Sequence, residues 1–198
     1  MSKIMDEYEG TTTIGIRCKD ALILGTDTRA TMGHFIASKE AKKVYQIDDL
    51  TAMTIAGSVG DAQKIVRLLS IEASLYKYRR GQKMTIKALS SILSQILNNS
   101  RSNPYGVALI IGGFDKNGMQ LYSFDGVGGM IEEKSFISTG SGSPIAYGVL
   151  EDHYKENMSL KDGINLATKA LQTAMKRDSG SGNSIDIVII KKDEFIKY

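Results

Sequence analysis

The chain is 198 residues long, 42% hydrophobic and 24% charged, with a formal net charge of +3. Those values fit one globular domain with a sizeable core and exclude a disordered or fibrous chain. The charge is too mild, and its lysines and arginines too scattered, for a nucleic-acid-binding stripe or a membrane-surface patch, so neither nucleic acid nor membrane is expected as a partner.

Residues 1–10 carry Asp6, Glu7 and Glu9 against Lys3, show no periodicity and lack the apolar run of a signal peptide. They read as a short extension ahead of a domain over 11–198. No segment reaches membrane-spanning length, and a cytoplasmic location is expected.

Residues 12–17 and 21–27 are β-rich runs on either side of Lys19-Asp20, which reads as a hairpin. Lys42-Lys43 precedes another apolar strand start. Residues 51–57 make a strand ending on Gly57, which permits a sharp turn into a helix. The period then changes: Ala62, Ile65, Val66, Leu69, Ala73 and Tyr76 predict an amphipathic helix from Asp61 to about Tyr78. Ile86, Leu89, Ile92, Leu93, Ile96 and Leu97 line a second helix, closed by Asn98-Asn99-Ser100 and Pro104.

Residues 107–115 and 119–125 form a hairpin around Lys116-Asn117-Gly118. A strand over 135–140 leads to a helix over 144–153, whose start is marked by Ser143 and Pro144. Ser159-Leu160-Lys161-Asp162 opens a third long helix in the manner of a capping box. Residues 184–191 are the last strong strand and 192–198 a short charged end. Such clustering favours antiparallel sheets covered by helices over a βαβ alternation, and a four-layer α+β sandwich fits it.

One cysteine, Cys18, and two histidines, His34 and His153, argue against a Cys/His protease or a Cys-rich zinc site. Cys18, between Arg17 and Lys19, admits a reactive thiol, but a structural strand residue suits it better, and it is assigned no role.

The Gly10-Thr11-Thr12-Thr13 junction has two readings. It is a β-prone strand start, or, if cut after Gly10, it gives Thr11 a hydroxyl nucleophile and a free amine on one residue. Other strings are individually weak. Asp27 in Thr26-Asp27-Thr28-Arg29 could cap a turn, Lys43 could be a solvated charge, and Asp178 in Arg177-Asp178-Ser179-Gly180-Ser181-Gly182 a helix-end acid. That loop and Thr139-Gly140-Ser141-Gly142-Ser143 lack the Gly-Lys-Ser/Thr ending of a phosphate loop, so nucleotide binding is not expected.

In order and together, these strings resemble the catalytic β-subunits of the archaeal-type 20S proteasome, which are N-terminal-nucleophile hydrolases. The likeness runs over essentially all of 11–191, through Gly-Thr-Thr-Thr-Ile-Gly-Ile, Thr26-Asp27-Thr28-Arg29-Ala30, Ala41-Lys42-Lys43, Thr54-Ile55-Ala56-Gly57-Ser58-Val59-Gly60-Asp61 and the two Gly/Ser loops. It implies an αββα sandwich with two antiparallel sheets between helix layers.

The resemblance further implies that 1–10 is a propeptide removed autocatalytically at Gly10-Thr11. Thr11 is then the nucleophile with its own α-amine as base, at a reference pKa of about 7.7 to 8.0. Lys43 would act beside it and Asp27 would hold Lys43. Gly57 would complete an oxyanion hole, while Ser141, Asp178 and Ser181 would orient the amine. Lys42 is set apart from Lys43 because alternation sends the two side chains to opposite faces. The likeness places Ala30, Ala41, Tyr45, Ile55, Val59 and Gln63 around a primary specificity pocket, with Thr31 binding substrate backbone. The apolar members point to cleavage after hydrophobic residues, although Ile55 is equally a core position.

The implied activity is a threonine endopeptidase that degrades unfolded proteins and uses no metal or organic cofactor. The implied partners are seven-membered β-rings, proteasome α-subunit rings and a regulatory ATPase acting through the α-rings. A non-catalytic ring subunit, against which intact Thr11, Asp27 and Lys43 argue, and a small-substrate amidase or the bacterial two-ring relative are the alternatives.

Overall fold

Secondary structure follows the sequence's changes of period. In a computed structural model that describes residues 10–198, β1 (Thr13–Arg17) and β2 (Leu22–Asp27) form the expected hairpin. Residues 1–9 of the proposed extension lie outside the described residues. A ribbon of β3 (Ala30–Met32) and β4 (Phe35–Ser38) comes next, then β5 (Val44–Asp48) and β6 (Thr51–Gly57). Helices α1 (Val59–Arg80) and α2 (Ile86–Asn99) precede β7 (Val107–Asp115), β8 (Gly118–Phe124), β9 (Met130–Glu132) and β10 (Phe136–Thr139). The chain closes with α3 (Ser143–His153), α4 (Leu160–Met175), β11 (Ile185–Ile190) and β12 (Phe195–Lys197).

Helix α1 starts earlier than its apolar stripe. Ser58 caps it, its hydroxyl accepting from the Asp61 N–H, and left-handed Gly81 ends it. Ser159 caps α4 as expected, Oγ accepting from Asp162 N at 3.1 Å, but in place of the reciprocal half of a capping box its hydroxyl donates to Asp162 Oδ2 at 2.7 Å. The ribbon β3–β4 and strand β9 were not foreseen, and the charged end over 192–198 is in part a strand, β12, paired with β11.

All strand pairs are antiparallel. One five-stranded sheet has the order β10-β1-β2-β11-β12 and the other β5-β6-β7-β8-β9. Period-2 alternation builds the layers. Leu22, Leu24, Val188 and Ile190 of the first sheet meet Val44, Ala52, Ile110 and Leu121 of the second. From the opposite faces, Ile14, Ile16, Ile23, Ile187 and Ile189 pack on α3 and α4 through Ala146, Leu150, Leu166 and Leu171. Met53, Ile55, Leu109 and Ile111 pack on α1 and α2 through Ile65, Leu69, Leu89 and Leu93. Each sheet is covered on both faces, which is why β2 is buried at every position. The result is the four-layer αββα sandwich. Among the described residues no helix is long and apolar enough to cross a membrane.

Register brings distant strand ends together. Thr13 pairs with Thr26 on one side and Thr139 on the other, while Asp27 pairs with Ile185. The start of β1, the end of β2, the loop after β10 and the loop before β11 therefore share one end of the first sheet. The second sheet contributes the residues entering β5 and the glycine leaving β6.

Candidate active site

Thr11 stands just ahead of β1, 5% exposed, and its hydroxyl donates to the Gly10 carbonyl oxygen at 2.5 Å. The same oxygen accepts from Lys43 Nζ at 3.3 Å. Hydroxyl and ammonium thus converge on the carbonyl of the Gly10–Thr11 bond. Lys43 is itself buried, and Asp27 Oδ1 accepts from it at 2.9 Å. Burial drives the Lys43 pKa down from its usual 10.5, against the upward pull of Asp27.

Asp27, fully buried, is held on both oxygens. Oδ1 also accepts from Thr12 N at 3.0 Å, while Oδ2 accepts from Arg29 N at 3.0 Å and Gly182 N at 2.8 Å. A carboxylate so bonded is fixed in position. Lys42, by contrast, is exposed and lies over the Tyr45 ring at 4.8 Å, although it lines the same small cavity as Lys43.

A second network holds the nitrogen of Thr11. Its N–H donates to Ser141 Oγ at 3.1 Å, and the Ser141 hydroxyl donates to Asp178 Oδ2 at 2.7 Å. Ser181 Oγ reaches the same Oδ2 at 2.6 Å and Thr12 Oγ1 at 2.7 Å. One hydroxyl carries one proton, so the direction is Thr11 N–H to Ser141 to carboxylate.

Two glycines are required by the backbone around them, and at Gly57 the sharp turn expected between strand and helix is present. Gly57 has φ of +99°, and a Cβ there would meet the Gly106 carbonyl oxygen at 2.1 Å. Its own chain path demands glycine, before any approach of a substrate is considered. A Cβ on Gly10 would strike Gly180 Cα at 2.2 Å and Thr31 Oγ1 at 2.6 Å, so close packing excludes other residues there.

Ala30, Thr31, Ala41, Tyr45, Ile55, Val59 and Gln63 all line one cavity of about 220 Å³ that also reaches Thr11, Lys43 and Gly57. Ile55 serves the core as well, at 3% exposure. Arg29 escaped the sequence reading. Its guanidinium donates to Ser179 O at 2.8 Å and Asn183 Oδ1 at 2.9 Å, tying the loop of Asp178 and Ser181 to the end of β2. Its only sequence signal is its place two residues after Asp27. Among the described residues there is no cluster of three or more His, Cys, Asp or Glu able to hold a metal ion.

Two antiparallel sheets packed between helix layers, with a hydroxyl residue leading into an inner strand, define the N-terminal-nucleophile hydrolase fold. A family model described as proteasome subunit matches residues 7–190. The proteasome subunit beta of Methanosarcina thermophila is 58% identical over 191 residues, covering 96% of this chain and 91% of the relative. That of Methanococcoides burtonii is 59% identical over 94% and 89% respectively, and that of Archaeoglobus fulgidus 53% identical over 100% and 93%. The chain belongs to the proteasome subunit family, as a β subunit of the archaeal 20S type.

Proposed function

We propose that this chain is a catalytic subunit, a threonine endopeptidase that first cuts its own Gly10–Thr11 bond. The observation that carries this is the convergence of the Thr11 hydroxyl and the buried Lys43 ammonium on the Gly10 carbonyl. While Gly10 is attached, the nitrogen of Thr11 is an amide and cannot act as a base. Attack of Oγ on the Gly10 carbonyl carbon forms a C–O bond and breaks the C–N bond, the hydroxyl proton ending on the released nitrogen. Water then hydrolyses the ester, leaving Gly10 as a carboxylate on the departing 1–10 segment and Thr11 with a free α-amine.

In turnover that amine takes the hydroxyl proton as Oγ attacks a substrate carbonyl, and passes it to the leaving nitrogen as the peptide bond breaks. The Gly57 N–H stabilises the tetrahedral oxyanion. Lys43, held by Asp27, keeps the amine unprotonated and favours anionic character at Oγ. Ser141 and Asp178, with Ser181 beside them, orient the amine. The acyl-enzyme ester is released by water. No metal or organic cofactor takes part.

The cavity of Ala30, Ala41, Ile55 and Val59 is apolar where a side chain would enter, which favours hydrophobic residues before the cut, with Thr31 on the substrate backbone. The working form is a cytoplasmic barrel, in which seven-membered β-rings stack on α-subunit rings that admit unfolded chains delivered by a regulatory ATPase.

The test is hydrolysis of fluorogenic peptides by the complex assembled with α-subunits. Apolar residues before the cut should be preferred over acidic or basic ones, and Thr11→Ala should abolish turnover. Lys43→Ala should cost about a hundred-fold or more, as for a lost electrostatic stabiliser of developing charge, with Lys42→Ala far milder. Full activity in the Thr11→Ala complex would sink the proposal.

A further inference from the structure

The turn out of β6 is braced by residues outside the catalytic set. Alternation along a strand fixes which edge each N–H faces, and the Ile55 N–H donates to Lys43 O at 2.9 Å. Gly57, two residues on, presents its N–H along the same edge. Strand β5 begins only at Val44, so that N–H passes the end of the strand and faces the cavity shared with Thr11 and Lys43. Its aim then depends on what holds Gly57 from behind.

Behind it stands Gly106, in the segment entering β7. The Gly106 carbonyl oxygen accepts from the Ser58 N–H at 2.7 Å, and it is the atom that a Cβ on Gly57 would strike. The Gly106 N–H in turn donates to Asp61 Oδ2 at 3.3 Å. Asp61 lies in the first turn of α1, where its own N–H donates to Ser58 Oγ at 3.4 Å. These bonds close a ring from Ser58 to Gly106 to Asp61 and back, next to the Gly57 backbone. Lys64, three residues on and so on the same face of α1, stands over the Tyr105 ring at 5.4 Å, so the helix grips the neighbouring residue as well. Asp61 is half-buried and stays outside the cavities that border Thr11.

We propose that Asp61 is a positioning residue for the oxyanion donor, holding the turn at Gly57 through Gly106 so that the Gly57 N–H is aimed at the developing charge. This rests on the function proposed above, with Thr11 as nucleophile and the Gly57 N–H on the oxyanion. Such a donor counts only where the anion forms. Loosening the ring therefore takes stabilisation from the transition state and leaves the contacts of the bound substrate in place. The working feature is the hydrogen bond and not the charge, since the Gly106 N–H needs only an acceptor.

The test uses the assembled complex, with rates counted per chain that begins at Thr11 by mass. Asp61→Ala should lower kcat about ten- to a hundred-fold, the scale of a misplaced group, with KM within about two-fold. Asp61→Asn keeps an acceptor and should stay within about three-fold of the wild type. Asp61→Ser, one bond too short to reach Gly106, should match Asp61→Ala, and it keeps a polar first turn should the alanine chain not assemble. A peptide aldehyde reads the donor directly. Thr11 Oγ bonds to its carbonyl carbon, the C=O becomes a C–O single bond and the hydroxyl proton passes to that oxygen, an addition that the corresponding peptide alcohol cannot undergo. Asp61→Ala should lose aldehyde affinity in step with kcat and keep its alcohol affinity.

Wild-type kcat and aldehyde affinity in Asp61→Ala and Asp61→Ser would overturn the role of Asp61 alone. So would an equal loss in Asp61→Asn, or a loss carried by KM. A wild-type complex that binds the aldehyde no more tightly than the alcohol would overturn the oxyanion donor itself, and hydrolysis that persists in Thr11→Ala the nucleophile.

Discussion

At the scale of single residues, the Asp27–Lys43 pair decides most. An ammonium as buried as Lys43 is tolerable only beside its carboxylate, because removing one partner of a buried pair strands the other charge. Asp27→Ala should therefore cost about 3 to 5 kcal/mol in chemical denaturation, well beyond the effect of a surface change. The depressed pKa of Lys43 also sets a direction for activity. The lysine is charged below its pKa and neutral above it, so the alkaline fall in kcat/KM should begin below pH 10.5, and Lys43→Arg should remove that limb. An alkaline limit unmoved by the arginine would detach Lys43 from the chemistry.

Cys18 behaves oppositely to a reactive thiol. Burial, helped by the Asp162 charge, pushes its pKa up to about 11, so alkylating reagents should leave it unmodified in the native chain. The residue types at Asp27 and Lys43 were legible in the sequence. Three of the four donors on Asp27 were not, because Thr12, Arg29 and Gly182 contribute backbone N–H groups, which leave no mark on residue identity.

Among the elements, long periodic segments were readable and short exposed ones were not. Strand β6 declares itself as a continuous buried run and α1, α2 and α4 by the period of their buried stripes, and the predicted hairpins turn where Lys19-Asp20 and Gly118 put them. The ribbon β3–β4 carries exposed Met32, Phe35 and Ile36, and β9 is exposed throughout, so neither shows the alternation that a half-buried strand imprints. Helix ends follow cap chemistry. Ser159→Ala removes the acceptor for Asp162 N and should lower stability by about 1 kcal/mol in thermal unfolding. Gly57→Ala is a harsher change, since it places a Cβ against the backbone of Gly106 at a positive φ, and the variant should lose both native spectroscopic signature and turnover.

For the whole molecule, the four layers were deducible from the clustering of strands and helices, but the convergence of the site was not. Ser141 and Asp178 belong to loops on either side of α3 and α4, and only the register of β1, β2, β10 and β11 brings them to Thr11. The outer face of α1 carries a different kind of information. Leu68, Ile71, Leu75 and Tyr78 recur at helical spacing and are 38%, 54%, 39% and 89% exposed. A stripe of that kind suits a subunit built into a larger assembly. Ile71→Glu should leave the isolated chain's stability within about 0.5 kcal/mol and yet reduce recovery of the full complex in size-exclusion chromatography with α-subunits.

The most direct check on a self-activating threonine site is the mass of this chain taken from that assembled complex. Cleavage at Gly10–Thr11 gives a chain beginning at Thr11, and the Thr11→Ala chain in the same assembly keeps residues 1–10. Wild-type chains that retain Gly10 indefinitely and still hydrolyse peptides would contradict it, because an amide nitrogen on Thr11 cannot take the proton the mechanism assigns to it.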